Sequence, residues 1–523
     1  PSLYVAILPP QINSDSPMAA EQQRLLTAAI ASTLEQGVIQ GQGLYLINPL
    51  EVVKTSGGYA EIAKAVAADV IIESNLKCQE SRCEIILSRI QPAAAPSASD
   101  SASAPWVVQV KQQWPILMDD HYLNLSVDTD REFAKLFPEH AITQQSSSIS
   151  EANYQWFMSL RYQVLLEGQS TPENWQRLLS KSDQFTHYAP YYQLLSSLAL
   201  FLYEDTHKAE YLNRLEQELK RLEDNEPLTQ TALEARLNIA LRSQAFDDAR
   251  RILTTMQQSG FDKITLLDRE AEIENFQGNY SRADALYGKA LSLRPSARLW
   301  YKTALNQWYD GNTQAATGSL EAVFSLSPNH YDAQALMAVL YLNTGQLDEA
   351  IGQYQKILSS HQDAINYNNL GLAYELKGSY RQAQIAFSKS LEYAPSRITT
   401  HLNLADSYLL DEQAILATQH YREVLHLTQT SHDGEELAAR AIAEIQLGNT
   451  REGLRSLHQS LRLDGDSAGA MLNAALVYSL TQQWATAVAY IEQSLAKGLS
   501  PTWFNLPWFD GLCYSREVAA VEE

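Results

Sequence analysis

Hydrophobic and polar positions follow two different rhythms along this chain. Through residues 1–135, short apolar runs alternate with amphipathic stretches, the pattern of a small α/β domain. Leu3-Tyr-Val-Ala-Ile-Leu8 reads as a buried strand, Ala20 to Gln36 carries a helical period, Leu44-Tyr-Leu-Ile-Asn48 is a second strand and Tyr59 to Ala68 a second helix. Val70 to Leu76 and Glu84 to Ile90 are β-rich and predict a hairpin around a four-residue turn, and Trp106-Val-Val-Gln-Val110 predicts one more strand. Residues 92–105, almost entirely Pro, Ala and Ser, hold too little apolar surface to pack and predict a flexible loop. Residues 136–152 then read as a linker.

From Asn153 to Ala496 the rhythm becomes helix after helix, with a fixed register. Taking Gly278 as a marker, Gly311, Gly345, Gly378, Glu412, Gly448 and Gln482 fill the same place at intervals of 33, 34, 33, 34, 36 and 34 residues. Five residues after each marker stands a small residue (Ala283, Ala316, Ala350, Ala383, Ala417, Gly453, Ala487), where the two helices of a hairpin would touch. Nine after it stands a large apolar one, among them Tyr287, Tyr354, Phe387 and Tyr421, and seven before it another small one, such as Ala271 or Gly371. Pro295, Pro328 and Pro395 follow seventeen residues behind their markers and break the chain before the next hairpin.

This register resembles the tetratricopeptide repeat, a helix-turn-helix unit of 34 residues. Its clearest copy runs from Asn366 to Pro395; seven copies occupy residues 264–496, and fainter ones at Gly168, Glu204 and Gln244 predict degenerate hairpins over 153–263. Residues 497–523 read as a cap and tail, with Trp503-Phe-Asn-Leu-Pro-Trp-Phe509 covering the last hairpin. The amino-terminal order of strand, helix, strand, helix, hairpin and strand, with Val5-Ala-Ile-Leu-Pro9 and Ala67-Ala-Asp-Val-Ile-Ile-Glu73, is similar to the TolB amino-terminal-like domain. The expected fold is therefore α+β, a small α/β domain followed by an all-α superhelical solenoid. Together the two resemblances imply the extracytoplasmic part of a membrane-anchored bacterial regulator, a receptor-type Ser/Thr kinase or a winged-helix transcription regulator. They also imply a periplasmic location, with the cytoplasm as the alternative.

Composition narrows the partners. The chain has 523 residues with 39 basic and 61 acidic side chains, a formal charge of −22. Nucleic acid and anionic membrane surfaces are held by Lys and Arg that displace counterions, so neither is expected as the main partner. The uncharged stretch Gln184 to Tyr203 contains Pro190, His187 and Gln193 and reads as a buried helix pair, not a membrane span. Membrane attachment is thus expected only through an anchor outside these residues, upstream of Pro1, where a kinase could also lie.

Candidate chemistry is sparse. No His-Glu-x-x-His, phosphate-cradling glycine loop or Gly-x-Ser-x-Gly occurs, and His420, His426 and His432 sit six apart, which does not gather them on one helix face. No enzyme activity, metal or cofactor is expected. Asp128-Thr-Asp130 and Asp464-Gly-Asp466 read as helix caps and turns. Cys78 and Cys83 flank the hairpin turn and are candidates for a disulfide, which would imply an oxidising compartment. On the first helix of each repeat, Asn369, Asn403 and Asn473 stand nine residues before their markers, with Asn368 beside the first. Side-chain amides donate and accept, as clamping a peptide backbone requires, so these four are the candidate groove residues for a protein or peptide partner. The expected function is a non-catalytic sensor or scaffold. A periplasmic assembly scaffold and a pH-responsive regulator are the alternatives.

Overall fold

A computed structural model describes residues 2–14, 18–79, 82–93, 104–117, 121–142, 149–206, 208–223, 230–465 and 467–512. Most of the expected flexible loop, Asp466 and the tail beyond Leu512 lie outside the described residues. By contact density the chain forms two compact units, residues 1–306 with 322–329, and residues 307–321 with 330–523.

The first unit begins with a six-stranded mixed sheet. Strands β1 (Leu3–Ile7), β2 (Gln11–Ser14), β3 (Leu44–Leu46), β4 (Val70–Gln79), β5 (Arg82–Pro92) and β6 (Trp106–Leu117) are ordered β3-β1-β4-β5-β6, with β2 continuing beside β4. β1 runs parallel to β3 and β4, whereas β4, β5 and β6 pair antiparallel, with an irregularity between Arg89 and Ile90. The parallel strands are linked by α1 (Ala20–Gln40), and by α2 (Pro49–Val53) with α3 (Tyr59–Val66). One sheet face packs with α1 and α4 (Tyr122–Ala134) through Val5, Ile7, Val70, Ile72, Leu26, Ile30 and Phe133. The other packs with α2 and α3 through Ala6, Ile71, Val52, Ile62 and Val66. α1 and α4 approach closely at Gly37, where a Cβ would stand 2.5 Å from the Phe133 ring.

Among the described residues, ten helical hairpins follow. They are α5 (Glu151–Leu165) with α6 (Pro172–Leu179), α7 (Ala189–Thr206) with α8 (Glu210–Glu223), α9 (Gln230–Arg242) with α10 (Phe246–Gln258), and α11 (Lys263–Phe276) with α12 (Tyr280–Leu293). Next come α13 (Ala297–Tyr309) with α14 (Thr313–Leu326), α15 (Tyr331–Asn343) with α16 (Leu347–Ser360), and α17 (Ala364–Leu376) with α18 (Tyr380–Tyr393). The last three are α19 (Ile398–Leu410) with α20 (Ala414–Leu427), α21 (Gly434–Gln446) with α22 (Thr450–Leu463), and α23 (Ala468–Leu480) with α24 (Trp484–Ala496).

The markers end the first helix of each hairpin. Gly278, Gly311, Gly345, Gly378 and Gly448 have φ between 74° and 88°, and Gln244, Glu412 and Gln482 take the same left-handed turn at 54°, 60° and 58°. The residue after each then donates its N–H to a carbonyl five back, as in Asn279 to Glu274, Ser379 to Tyr374 and Gln483 to Tyr478, which closes the helix terminus. The small residues five after the markers are buried completely or nearly so, from Ala283 to Ala487.

Several local expectations need correction. Gln79 pairs with Arg82, so only Glu80 and Ser81 separate the hairpin strands instead of a four-residue turn. Gln184 to Tyr203 is not a helix pair: a short 3-10 turn at Ser182–Gln184 precedes the single helix α7, which also holds Glu204 inside it, so Glu204 is no turn marker. Asp128 and Asp130 lie within α4, and Asp128 pairs with Arg131 at 2.9 Å instead of capping a helix. β2 follows Pro9 and Pro10, α2 begins at Pro49, and both are too short to show periodicity. Among the described residues no helix is long and apolar enough to cross a membrane.

The aromatic cap reaches further than the last hairpin. Ser479 donates its hydroxyl to the Trp508 carbonyl at 2.6 Å, and Phe509 is buried. Upstream, the Ser500 N–H bonds to the Asn343 carbonyl at 2.9 Å and Trp503 packs with the apolar cluster of α15–α17, so the segment ties the α15–α16 turn to α23.

Candidate functional site

The first unit contains a cleft of about 530 Å³ bounded by β3, by the edge of α1 and by the first helices of successive hairpins, α5, α7, α9, α11 and the start of α13. Its position follows from how the α/β domain is seated. The core that covers α1 and α4 continues without a break into α5, α6, α7 and α8 through Phe157, Trp175, Tyr191 and Leu215. Polar contacts extend the seam. Arg161 on α5 meets Glu35 on α1 at 2.5 Å with both side chains about one-tenth exposed, and Gln193 on α7 links Gln36 of α1 to Thr231 of α9. At the far end, Tyr4 donates to Asp262, the N-cap of α11, at 2.8 Å. Arg294, after α12, takes both oxygens of Asp69 and the Ala67 carbonyl while stacking over the Tyr4 ring. Burial and the bond to Asp262 push the Tyr4 hydroxyl well above its ordinary range.

Deeper in this end lies a network of buried charges. Lys302 on α13 places its ammonium 2.7 and 2.8 Å from the two Asp268 oxygens and 2.6 Å from Glu272, both on α11. Arg298 bridges Asp268 at 2.9 Å and Glu51 of α2 at 2.8 Å, and Arg269 holds Glu272 at 2.7 Å. Burial opposes ionisation of Asp268 and Glu272, yet the surrounding Arg298, Lys302 and Arg269 hold both carboxyls below their usual range. The spacing Asp268/Glu272 and Arg298/Lys302, each four residues apart on one helix face, is the sequence signal that points to this network. Every arginine lining the cleft has a carboxylate partner, so the cavity carries no spare cation.

On the second unit the four amides part company. Asn368 is buried, its Oδ1 accepts from Thr400 at 3.0 Å and Asn403 at 3.1 Å, and its Nδ2 donates to Asn369 at 3.3 Å. Its amide is thus used between α17 and α19. Asn369, Asn403 and Asn473 are half-buried, and the Asn473 side chain makes no hydrogen bond among the described residues. Cys78 and Cys83 face each other across β4 and β5 with Cα atoms 4.0 Å apart and are joined as a disulfide. Among the described residues no cluster of three metal-ligating side chains occurs.

Two clusters of titratable groups in the second unit could not be assembled from the sequence. Tyr421 donates to Asp406 at 2.5 Å, burial pushes the Asp406 carboxyl up to about 7, and the nearby buried Glu375 is raised as well, by burial and then by Asp406. His401 and His420 meet through Nδ1 atoms 2.9 Å apart, while His401 Nε2 bonds the Pro395 carbonyl. A carbonyl only accepts, so His401 Nε2 donates to Pro395, and one of the two facing Nδ1 atoms donates to the other.

The class these units define is a small α/β domain followed by an all-helical array of helix-turn-helix hairpins. The chain carries tetratricopeptide repeats, since residues 308–371, 364–397 and 438–501 each match that family. Repeats of this kind form protein–protein interaction scaffolds. Among solved structures, residues 41 to the end of MamA from Desulfovibrio magneticus RS-1 are similar at 21% identity, covering 33% of this chain and 98% of that one, with a TM-score of 0.31. The C-terminal part of a repeat-containing protein from Cytophaga hutchinsonii is 16% identical over 46% of this chain and 98% of its own, with a TM-score of 0.32. PilW, described as a widely conserved type IV pilus biogenesis factor, is 17% identical over 39% and 94%, with a TM-score of 0.33. No curated protein matches the sequence.

Proposed function

We propose that this chain is a non-catalytic sensor and scaffold region that binds a protein or peptide partner on the first helices of its second unit, within the extracytoplasmic part of a membrane-anchored signalling protein. The observation that carries the reading is the row of repeat-equivalent amides, Asn369, Asn403 and Asn473, half-buried on α17, α19 and α23 with bonding capacity left over. The disulfide between Cys78 and Cys83 supports an oxidising compartment, in keeping with a periplasmic location. Partner binding would act by shifting how the hairpins stack. Recovery of interacting proteins by the chain and by a variant with Asn369, Asn403 and Asn473 all changed to Ala tests it. Loss of at least one partner with unchanged circular dichroism is expected, and equal recovery by both refutes groove binding.

A second reading has its own observation. The hydrogen-bonded pair His401–His420 and the raised carboxyls of Asp406 and Glu375 lie on neighbouring helices of the array, a placement suited to a regulator that responds to pH.

A further inference from the structure

We propose a second binding site, on the first unit, in which the outer edge of β3 takes up an extended, uncharged peptide segment as an added strand. The argument starts from strand parity. Along β3 and its approaches, Gly43 accepts from Leu3 and the Ile47 N–H donates to Val5, so odd residues face β1. Even residues therefore face outward, and the first of them, Gln42, is already used in this way: its N–H bonds the Ala141 carbonyl, its own carbonyl meets the His140 ring, and Gly41 bridges Ile142 antiparallel.

Beyond Gln42 that pairing stops. The Leu44 carbonyl, the Leu46 N–H and carbonyl and the Asn48 N–H follow on the same side, and none of these four groups has a hydrogen bond among the described residues. Leu44 to Asn48 is a run of five consecutive residues lining the 530 Å³ cleft, which means that the cavity runs along the backbone edge itself. Unpaired strand edges bind extended segments by main-chain hydrogen bonds, with alternate side chains giving specificity.

The cleft also fixes the chemistry of its occupant. Each of its arginines is already held by a carboxylate, so an acidic segment gains no free cation there, and Asp262 is already occupied by Tyr4, Thr265 and the first N–H groups of α11. Facing β3 are apolar side chains such as Leu165 and Leu194 together with neutral polar groups, of which Asn238 on α9 is half-buried without a hydrogen bond among the described residues. A neutral backbone flanked by small or apolar side chains matches that lining. The site is separate from the amide row of the second unit and stands or falls independently of it.

The test is a display library of peptides about ten residues long lacking charged residues, panned against the full chain, with selected sequences resynthesised with blocked ends. Titration calorimetry should give micromolar dissociation constants that weaken at least about tenfold for Leu46→Pro, which removes the outward N–H at a strand edge where proline is tolerated. Leu46→Ala, which keeps that N–H, should bind within about threefold of the parent, separating edge pairing from lost packing. N-methylation along the peptide should abolish binding at every second position only, because alternate N–H groups point away from β3. The Asn369/Asn403/Asn473 triple alanine variant should bind these peptides unchanged. Selection of no peptide, equal binding by Leu46→Pro, or an N-methyl scan without the two-residue period would overturn the assignment.

Discussion

Asp406 offers a quantitative test of how the array is packed. Its carboxyl is buried between α17, α19 and α20, with Tyr421 as hydrogen-bond donor and the raised Glu375 as neighbour, and burial moves it from 3.8 to about 7. A folded-state value above the unfolded one means that the native state holds the proton more tightly. The stabilisation is therefore complete below pH 3.8 and is lost as pH rises toward and through 7. Between about pH 5 and pH 8.5, the unfolded carboxyl is almost fully ionised throughout while the native one loses its proton, which amounts to about 3 kcal/mol of lost stability. Asp406→Asn is neutral at every pH and preserves the size of the side chain. Urea melts of parent and variant at both pH values, followed by circular dichroism, should show the parent falling relative to the variant by about 3 kcal/mol as pH rises. The Asn variant should be the more stable of the two at the upper pH. Parallel pH dependence in both proteins would refute the assignment of a raised, buried carboxyl, because every other titrating group is shared.

The acid limb should report on the histidine pair. Burial, followed by the proximity of His401, lowers His420, so its contribution is present above the unfolded value of 6.5 and is lost as pH falls below it; His420→Gln should flatten that loss in melts between about pH 7 and pH 5. At the hairpin turns, Glu412→Gly and Gln482→Gly should each raise stability by about 1 kcal/mol, because a side chain at a φ of 60° or 58° is strained, whereas Gly378→Ala should cost about as much. For the seam between the α/β domain and the first hairpins, Arg161→Ala should cost about 3 kcal/mol by leaving Glu35 buried and unpaired, and Arg161→Met with Glu35→Leu should recover most of it. A single-residue cost no larger than that of an exposed pair such as Lys389–Glu392 would show that the seam is not closed in solution.

What was legible in the chain depended on whether a contact repeats. A hairpin touches its neighbours in the same way each time, so the small residues at Ala283, Ala350 or Ala417 recur every 33 to 36 positions and announce the helix contact they make. The left-handed turn of Glu412 and Gln482 was legible for the same reason: neither residue favours that conformation, and only the register of glycines around them identifies the site. The strand Leu44–Asn48 could be read from its apolar run, but that its outer edge lines a cleft could not, because this follows from where the α/β domain is seated on α5 to α13. That seating rests on pairs such as Glu35–Arg161 and Tyr4–Asp262, separated by 126 and 258 residues and matched by no period. Asp406 and Glu375 mark the same boundary from the other side. Each sits near the end of a first helix, six and three residues before its marker, where an acidic side chain normally reaches water. Their burial is produced by the adjacent hairpins closing over them, so the pattern that locates the helix predicts solvent where the packing supplies a low-dielectric pocket and a raised pKa.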